Sequence, residues 1–155
     1  PQPTISGGID GYIDDLDPHR VVLEITEHSL VDDYGLLNNR LAPLREAGVR
    51  TAVDDAGAGY ASMRHVLAIH PDIIKLDLSL TRDIDTDSPR RALAGALIEF
   101  ARQTQSRVVA EGVETASELA ALQALGVDDV QGYYLARPLE VEALAQKLMA
   151  ERQRN

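Results

Sequence analysis

Cysteine is absent from this 155-residue chain, as is tryptophan. Without thiols there is no disulfide framework and no thiolate metal site. Aromatics are few: five tyrosines and one phenylalanine. They supply no platform on which single-stranded bases could stack. Positive charge is also scarce. Twenty-five acidic residues face fifteen basic ones, for a net charge of −10. A phosphate backbone needs a basic face, so DNA and RNA are not expected as partners. No apolar run approaches the roughly 18 residues that span a bilayer, and no membrane contact is expected from this segment. Pro1 to Asp10 lacks the basic start and apolar stretch of a signal peptide. The compartment these absences fit is the cytoplasm.

What is present is a repeated rhythm of short β-branched runs and longer helical stretches. Strands are predicted over Arg20–Thr26, Val49–Asp54, Asp72–Asp77 and Arg107–Glu111, with a fifth inside Val127–Tyr134. Helices are predicted over Asp33–Ala47, Ala61–Ile69, Pro89–Gln103, Ala116–Leu125 and Val141–Arg152. Gly48 and Gly126 stand as stops, and Pro89 sits at a helix start. Ser6–Leu16 is read as a short leading helix, and the polar stretch Arg82–Ser88 as a mobile loop. Strands alternating with helices of this length mean a parallel sheet with crossover helices, an α/β fold. The runs VVLEI, DIIKL and RVVA suit strands buried on both faces. Five βα units make either a complete open sheet or part of a barrel, since a full eight-unit barrel needs about 250 residues. Periodicity leaves that choice open.

In parallel α/β folds ligands gather at the carboxyl ends of the strands. Here every strand delivers a charged or amide group to that end. They are Glu24 with Glu27, Asp54 with Asp55, Lys75 with Asp77, Glu111 with Glu114, and Gln131. Bringing Glu24, Asp54, Glu111 and Lys75 together without function would cost several kcal/mol for each unpaired buried ion. Carboxylates converging on one point call for a cation between them. All the donors are oxygens, which favours Mg²⁺, Mn²⁺ or Ca²⁺ over soft metals. A two-metal cluster with a nearby lysine is a known arrangement for phosphodiester hydrolysis. Gly57 and Gly59, in the segment DDAGAGYAS, permit tight curvature with N–H groups free to face an anion. The segment is neither a Walker loop nor a GxGxxG fingerprint. His19, His28, His65 and His70 match no metal spacing and are read as surface or capping residues. Ser29, Ser62 and Ser79 lack a His/Asp partner pattern, so a serine hydrolase is not supported. A phosphoacceptor receiver domain fails on order: its Asp pair closes the first strand and its Lys the last, whereas here they end neighbouring strands.

Five ordered motifs resemble the EAL domain, the cyclic di-GMP phosphodiesterase family. They are LEITE (Leu23–Glu27), VDDAGAGYAS (Val53–Ser62), IKLD (Ile74–Asp77), AEGVET (Ala110–Thr115) and QGYYLARPL (Gln131–Leu139). Successive gaps are 30 residues from Glu24 to Asp54, 21 to Lys75, 36 to Glu111 and 20 to Gln131. The resemblance implies a modified TIM barrel that hydrolyses cyclic di-GMP to linear pGpG with Mg²⁺ or Mn²⁺. It implies Glu24, Asp54, Asp55 and Glu111 as metal ligands, and Lys75, Glu111 and Gln131 as catalytic residues. Glu27 and Glu114 would steady the Asp55–Ser62 loop, and Asp77, Gly57 and Gly59 would lie against substrate. Two departures stand out. The Glu-Ala-Leu signature and the family's Asn strand are missing, so residues 1–155 (core 20–152) are expected to be the C-terminal part of a single barrel domain, inactive alone. Ala56 and Ala58 replace the usual Phe and Thr of the loop. The alternative to catalysis is a degenerate domain that senses cyclic di-GMP without cleaving it. A homodimer and attached sensor or GGDEF domains are further expectations, and a partial barrel with open edges is expected to self-associate.

Overall fold

A computed structural model describes residues 16–26, 31–57 and 59–152. A short 3-10 turn, Pro18–Arg20, leads into β1 (Val22–Ile25). There follow α1 (Tyr34–Glu46), β2 (Arg50–Ala56), α2 (Tyr60–Ile69), β3 (Ile73–Leu76), α3 (Leu78–Thr81) and α4 (Ser88–Gln103). The chain then runs through β4 (Arg107–Ala110), α5 (Ala116–Leu125), β5 (Asp129–Val130) and α6 (Val141–Arg152). The five strands form one sheet in the order β1-β2-β3-β4-β5, every neighbouring pair parallel. Among the described residues the sheet does not close, and β1 and β5 are its outer strands.

Side chains alternate between the faces of a strand, and burial follows that alternation. Ile74, Leu76, Val108 and Ala110 are fully buried on one face. They pack in one cluster with Val66 of α2, with Ala94, Leu97, Ile98 and Ala101 of α4, and with Leu122 of α5. Each such aliphatic side chain removed from water contributes about 1.5–3 kcal/mol. The register places Lys75 opposite Val109 and Glu24 opposite Ala52 on the other face. That face stays partly open and collects the polar groups.

Capping residues fix the helix starts. Asp33, Asp77 and Asp87 each accept a backbone N–H in the first turn of α1, α3 and α4. Thr115 and Glu118 form a reciprocal capping box on α5, and Gly126 closes it at φ 83°.

Several expectations need correction. The fifth strand lies inside its predicted span but is only two residues long; beyond it the chain bonds the loop after β4, with Val113 N–H reaching Gln131 O at 3.1 Å and Tyr134 N–H reaching Val113 O at 3.0 Å. The one-turn helix α3 lies where only a strand end and loop were read. Arg82–Ser88 is pinned rather than mobile. Ile84 is fully buried, and Arg91 donates to the Ile84 and Asp85 carbonyls at 3.2 and 2.6 Å. His65 is neither surface nor cap: it is 3% exposed, with Nδ1 at 3.0 Å from the Tyr34 hydroxyl. The leading helix read over Ser6–Leu16 falls, but for Leu16, outside the described residues, as do His28 and Ser29.

Candidate active site

Strand β2 carries an irregularity that builds the site. Val53 pairs with Ile74 and Ala56 with Leu76, so three steps along β2 match two along β3. One extra residue is inserted, and Asp55 takes it up in the left-handed region at φ 56°. In a regular strand adjacent residues point to opposite faces. A bulge re-aims one of them, and aspartate is among the side chains that tolerate this backbone. Asp54 and Asp55 therefore reach one place. Together with Glu111 at the end of β4, each offers a carboxylate oxygen, all within 4.8 Å of one another.

Lys75 stands at the centre of the open face. Its Nζ lies 2.9 Å from Asp54 Oδ1, 2.9 Å from Glu111 Oε1 and 3.2 Å from Glu24 Oε1. Its side chain is 14% exposed, against 18% for Asp54, 21% for Glu111 and 47% for Glu24. Burial by itself would lower the lysine pKa, but the close negative carboxylates of Asp54, Glu111 and Glu24 outweigh it, and the net shift is upward. The three carboxylates thus favour the charged form of Lys75. Glu111 is also pushed up, first by burial and then by the nearby negative Asp54 and Glu24, against the pull of Lys75.

Asp54 Oδ1 is buried and, despite its closeness to Lys75, receives no well-directed hydrogen bond. The contact is an ion pair. Three converging carboxylate groups suit a hard divalent ion. Glu24 faces the ammonium and is not one of those three.

The remaining predicted residues are placed as follows. Gln131 is exposed, and its backbone continues the β4 pairing through N–H to Ala110 O at 2.8 Å. Asp77 Oδ1 accepts the Ser79 N–H at 2.9 Å as the cap of α3. Gly57 has φ 99°, and a Cβ there would sit 2.1 Å from Leu80 Cδ1, so α3 itself demands the glycine. Gly59 precedes α2 in extended backbone and forms a bridge to Ala56. The Glu114 carboxylate lies 3.5 Å from Arg82 Nη2, with both side chains about half exposed. Glu27 lies outside the described residues. Sequence reasoning missed Thr81 and Glu118. The buried Thr81 hydroxyl donates to the Glu111 carbonyl. The buried Glu118 carboxylate accepts three backbone N–H groups; burial pushes its pKa up, but the N–H groups of Glu114, Asp83 and Thr115 prevail and hold it down. The T-x-x-E spacing signalled only a helix cap.

The sequence profile of the EAL domain matches residues 9–138. The "Cyclic di-GMP phosphodiesterase NbdA" of Pseudomonas aeruginosa is 38% identical over 130 residues, which is 84% of this chain and 17% of that protein. Among solved structures, Klebsiella pneumoniae BlrP1 in a manganese/cyclic di-GMP complex at pH 9.0 superposes with a TM-score of 0.70 at 35% identity, covering 77% of this chain and 30% of that one. An EAL domain protein from Listeria monocytogenes gives a TM-score of 0.79 at 29% identity, over 88% of this chain and 55% of that one. The chain belongs to the EAL domain family, and it spans only a fraction of the length of the relatives it matches. Its open five-stranded parallel sheet corresponds to part of their barrel-like fold.

Proposed function

We propose that this chain, the C-terminal part of an EAL barrel, serves metal-dependent hydrolysis of cyclic di-GMP to linear pGpG. The observation that supports this most is the convergence of Asp54, Asp55 and Glu111 around one point with Lys75 beside them. The relative named as a cyclic di-GMP phosphodiesterase and the manganese complex of the structural neighbour point to the same substrate and ion class.

In this reading Asp54, Asp55 and Glu111 hold Mg²⁺ or Mn²⁺, with Glu24 completing the acidic wall. A bound divalent ion supplies Lewis acidity to a phosphodiester and makes water a stronger nucleophile. The chain's own residues do the rest. Lys75, kept protonated by three carboxylates, presents a fixed positive charge where negative charge grows on the phosphoryl oxygens. Because that charge is already oriented, no reorganisation is needed as the reaction proceeds. Gln131, at the same sheet edge, orients water or substrate. Glu114, with Glu27, steadies the loop after Asp55. Asp77, Gly57 and Gly59 lie on the substrate side of the β2 and β3 ends. Cytoplasmic location, pairing of two copies and linkage to sensor or GGDEF domains belong to the same proposal. Among the described residues no helix is long and apolar enough to cross a membrane.

The test is cyclic di-GMP turnover by the full-length protein in Mn²⁺ or Mg²⁺, parent against Asp54→Asn. Loss of about 10³-fold or more is expected, the scale of losing a metal-activated nucleophile. Turnover undiminished in excess chelator refutes the metal-dependent reading. Tight nucleotide binding with no hydrolysis by the parent assigns the chain to sensing instead.

A further inference from the structure

Glu118 is the one buried carboxylate among the described residues, and the chemistry above does not use it. Its Oε2 accepts the N–H groups of Glu114 at 2.9 Å and Thr115 at 3.0 Å, the second being the bond a capping box requires. Its Oε1 does something a cap does not. It accepts the N–H of Asp83 at 3.0 Å, 35 residues away. Asp83 sits just past the end of α3 with φ 57°, and its own carbonyl accepts the N–H groups of Thr86 and Asp87. One charged group therefore ties the loop after β4 to the far end of α3.

Helix α3 in turn touches both carboxylate-bearing loops. Leu80 fills the space beside Gly57, just past Asp54 and Asp55. Leu78 does the same beside Gly112, where a Cβ would lie 2.2 Å from Leu78 Cδ1. The Thr81 hydroxyl binds the Glu111 carbonyl. The start of α3 is fixed by the Asp77 cap and its end by Glu118. The neighbouring Arg82–Glu114 pair, half exposed at 3.5 Å, adds little. Hydrogen bonds to an ionised acceptor are roughly twice as strong as neutral ones, so Glu118 is the main fastening.

We propose that Glu118 is a positioning residue: by clamping the end of α3 to the loop after Glu111, it sets Glu111 against Asp54 and Asp55. The inference rests on the reading of those three carboxylates as the metal set. It concerns how they are held, not whether they react.

Glu118→Gln separates the clamp from the cap. Glutamine is an ordinary capping-box residue, so the start of α5 survives. It has one acceptor oxygen, however, and turns an NH₂ toward an N–H on the other side. Two measurements on this chain decide the matter: amide hydrogen exchange and Mn²⁺ titration. The Asp83 amide is expected to exchange roughly tenfold or more faster, the scale of one lost hydrogen bond to a charged acceptor. Exchange is also expected to quicken at the Glu111 amide, which bonds Leu76 O at 3.1 Å and does not touch Glu118. Mn²⁺ affinity should fall about tenfold, as for other groups that orient metal ligands, while the Leu119 amide inside α5 keeps its protection. Changes confined to Asp83, Glu114 and Thr115, with the Glu111 amide and Mn²⁺ affinity as in the parent, would reduce Glu118 to a helix cap and overturn the proposal. If the parent binds no Mn²⁺, the metal reading fails, and the Glu111 amide still decides the clamp. Should Glu118→Gln not fold, Glu118→Asp, which keeps the charge and shortens the reach to both sides, is read at the Glu111 amide, whose exchange quickens if the clamp acts and stays as in the parent if it does not.

Discussion

Replacing Lys75 by methionine keeps most of the aliphatic stem and deletes the charge. Three carboxylates then face one another without their shared cation. The Asp54 and Glu111 contacts are both 2.9 Å and mostly shielded, so they set the scale. Removing one partner of a buried pair costs about 3–5 kcal/mol. Partial exposure places this site at the low end, and the half-exposed Glu24 contact adds under about 1 kcal/mol. A loss of about 3 kcal/mol at pH 7 is expected, or roughly 6–12 °C in Tm for a chain of this size. The loss has a signature in pH. Glu111 already titrates above the usual glutamate range, and without Lys75 it moves further up. A raised carboxylate gives stability that is complete below its unfolded pKa and disappears as pH rises through the folded one. The gap between variant and parent should therefore shrink as pH falls into the carboxylate range. Lys75 itself is raised above the ordinary lysine value of 10.5, so its contribution is complete below that value and is lost only as pH climbs through the raised pKa.

Urea unfolding at several pH values, with and without Mn²⁺, reads all of this. Mn²⁺ should return much of the lost stability, because it supplies the missing positive charge. In the full-length protein kcat should fall about 10²-fold, the scale of one lost electrostatic group, with substrate affinity changing less. A variant as stable as the parent at pH 7, with no pH-dependent gap, would show that the three contacts do not govern the charge balance of the site. A stable variant with normal turnover would remove Lys75 from the chemistry.

Two further outcomes follow from packing. Gly57→Ala should destabilise the chain by about 1–3 kcal/mol in urea unfolding, because its Cβ would meet Leu80 at 2.1 Å on left-handed backbone; an unchanged midpoint would mean that α3 does not press on this loop. The chain in isolation should self-associate, because β1 and β5 are the outer strands of a sheet that does not close among the described residues, and Tyr133, Tyr134, Leu135 and Leu139 are about half exposed beside β5; a monodisperse monomer in light scattering would contradict this.

The repeating βα units were legible because their signals are local. Apolar runs of four or five residues mark β1, β3 and β4, and glycine or proline marks the ends of α1, α4 and α5. The last strand falls inside its predicted span and stays short for a physical reason. GYYLA is apolar enough for a strand, but after Gln131 the chain turns back to hydrogen-bond Val113 rather than extending along β4. Helix α3 escaped notice because one turn carries no periodicity. Arg82–Ser88 looked mobile because its composition is polar. Its order comes from the buried Ile84, from Arg91 donating to the Ile84 and Asp85 carbonyls, and from Glu118, and spacing along the chain cannot display a bond across 35 residues.

The site shows the same division more sharply. That five strand ends carry polar groups can be read from the sequence, since parallel strands deliver their last residues to one edge. Why Asp54 and Asp55 converge on one place cannot. Neighbours in a regular strand diverge, so an Asp-Asp pair at a strand end is as well explained by one inward ligand and one outward cap. Only the unequal count against β3, three steps to two, shows that a residue has been inserted. The left-handed backbone at Asp55 then follows as the way the extra residue is absorbed. The geometry also explains the short segment α3 directly after β3. A bulged strand end lacks regular pairing to hold it, and Leu80 packed against Gly57, with the Asp77 N–H on Ala56 O at 3.2 Å, supplies the missing support from the neighbouring strand. Acidic residues can thus crowd at this edge because the cation Lys75 and the wedge α3 both come from β3: one balances their charge and the other fixes the loops that carry them.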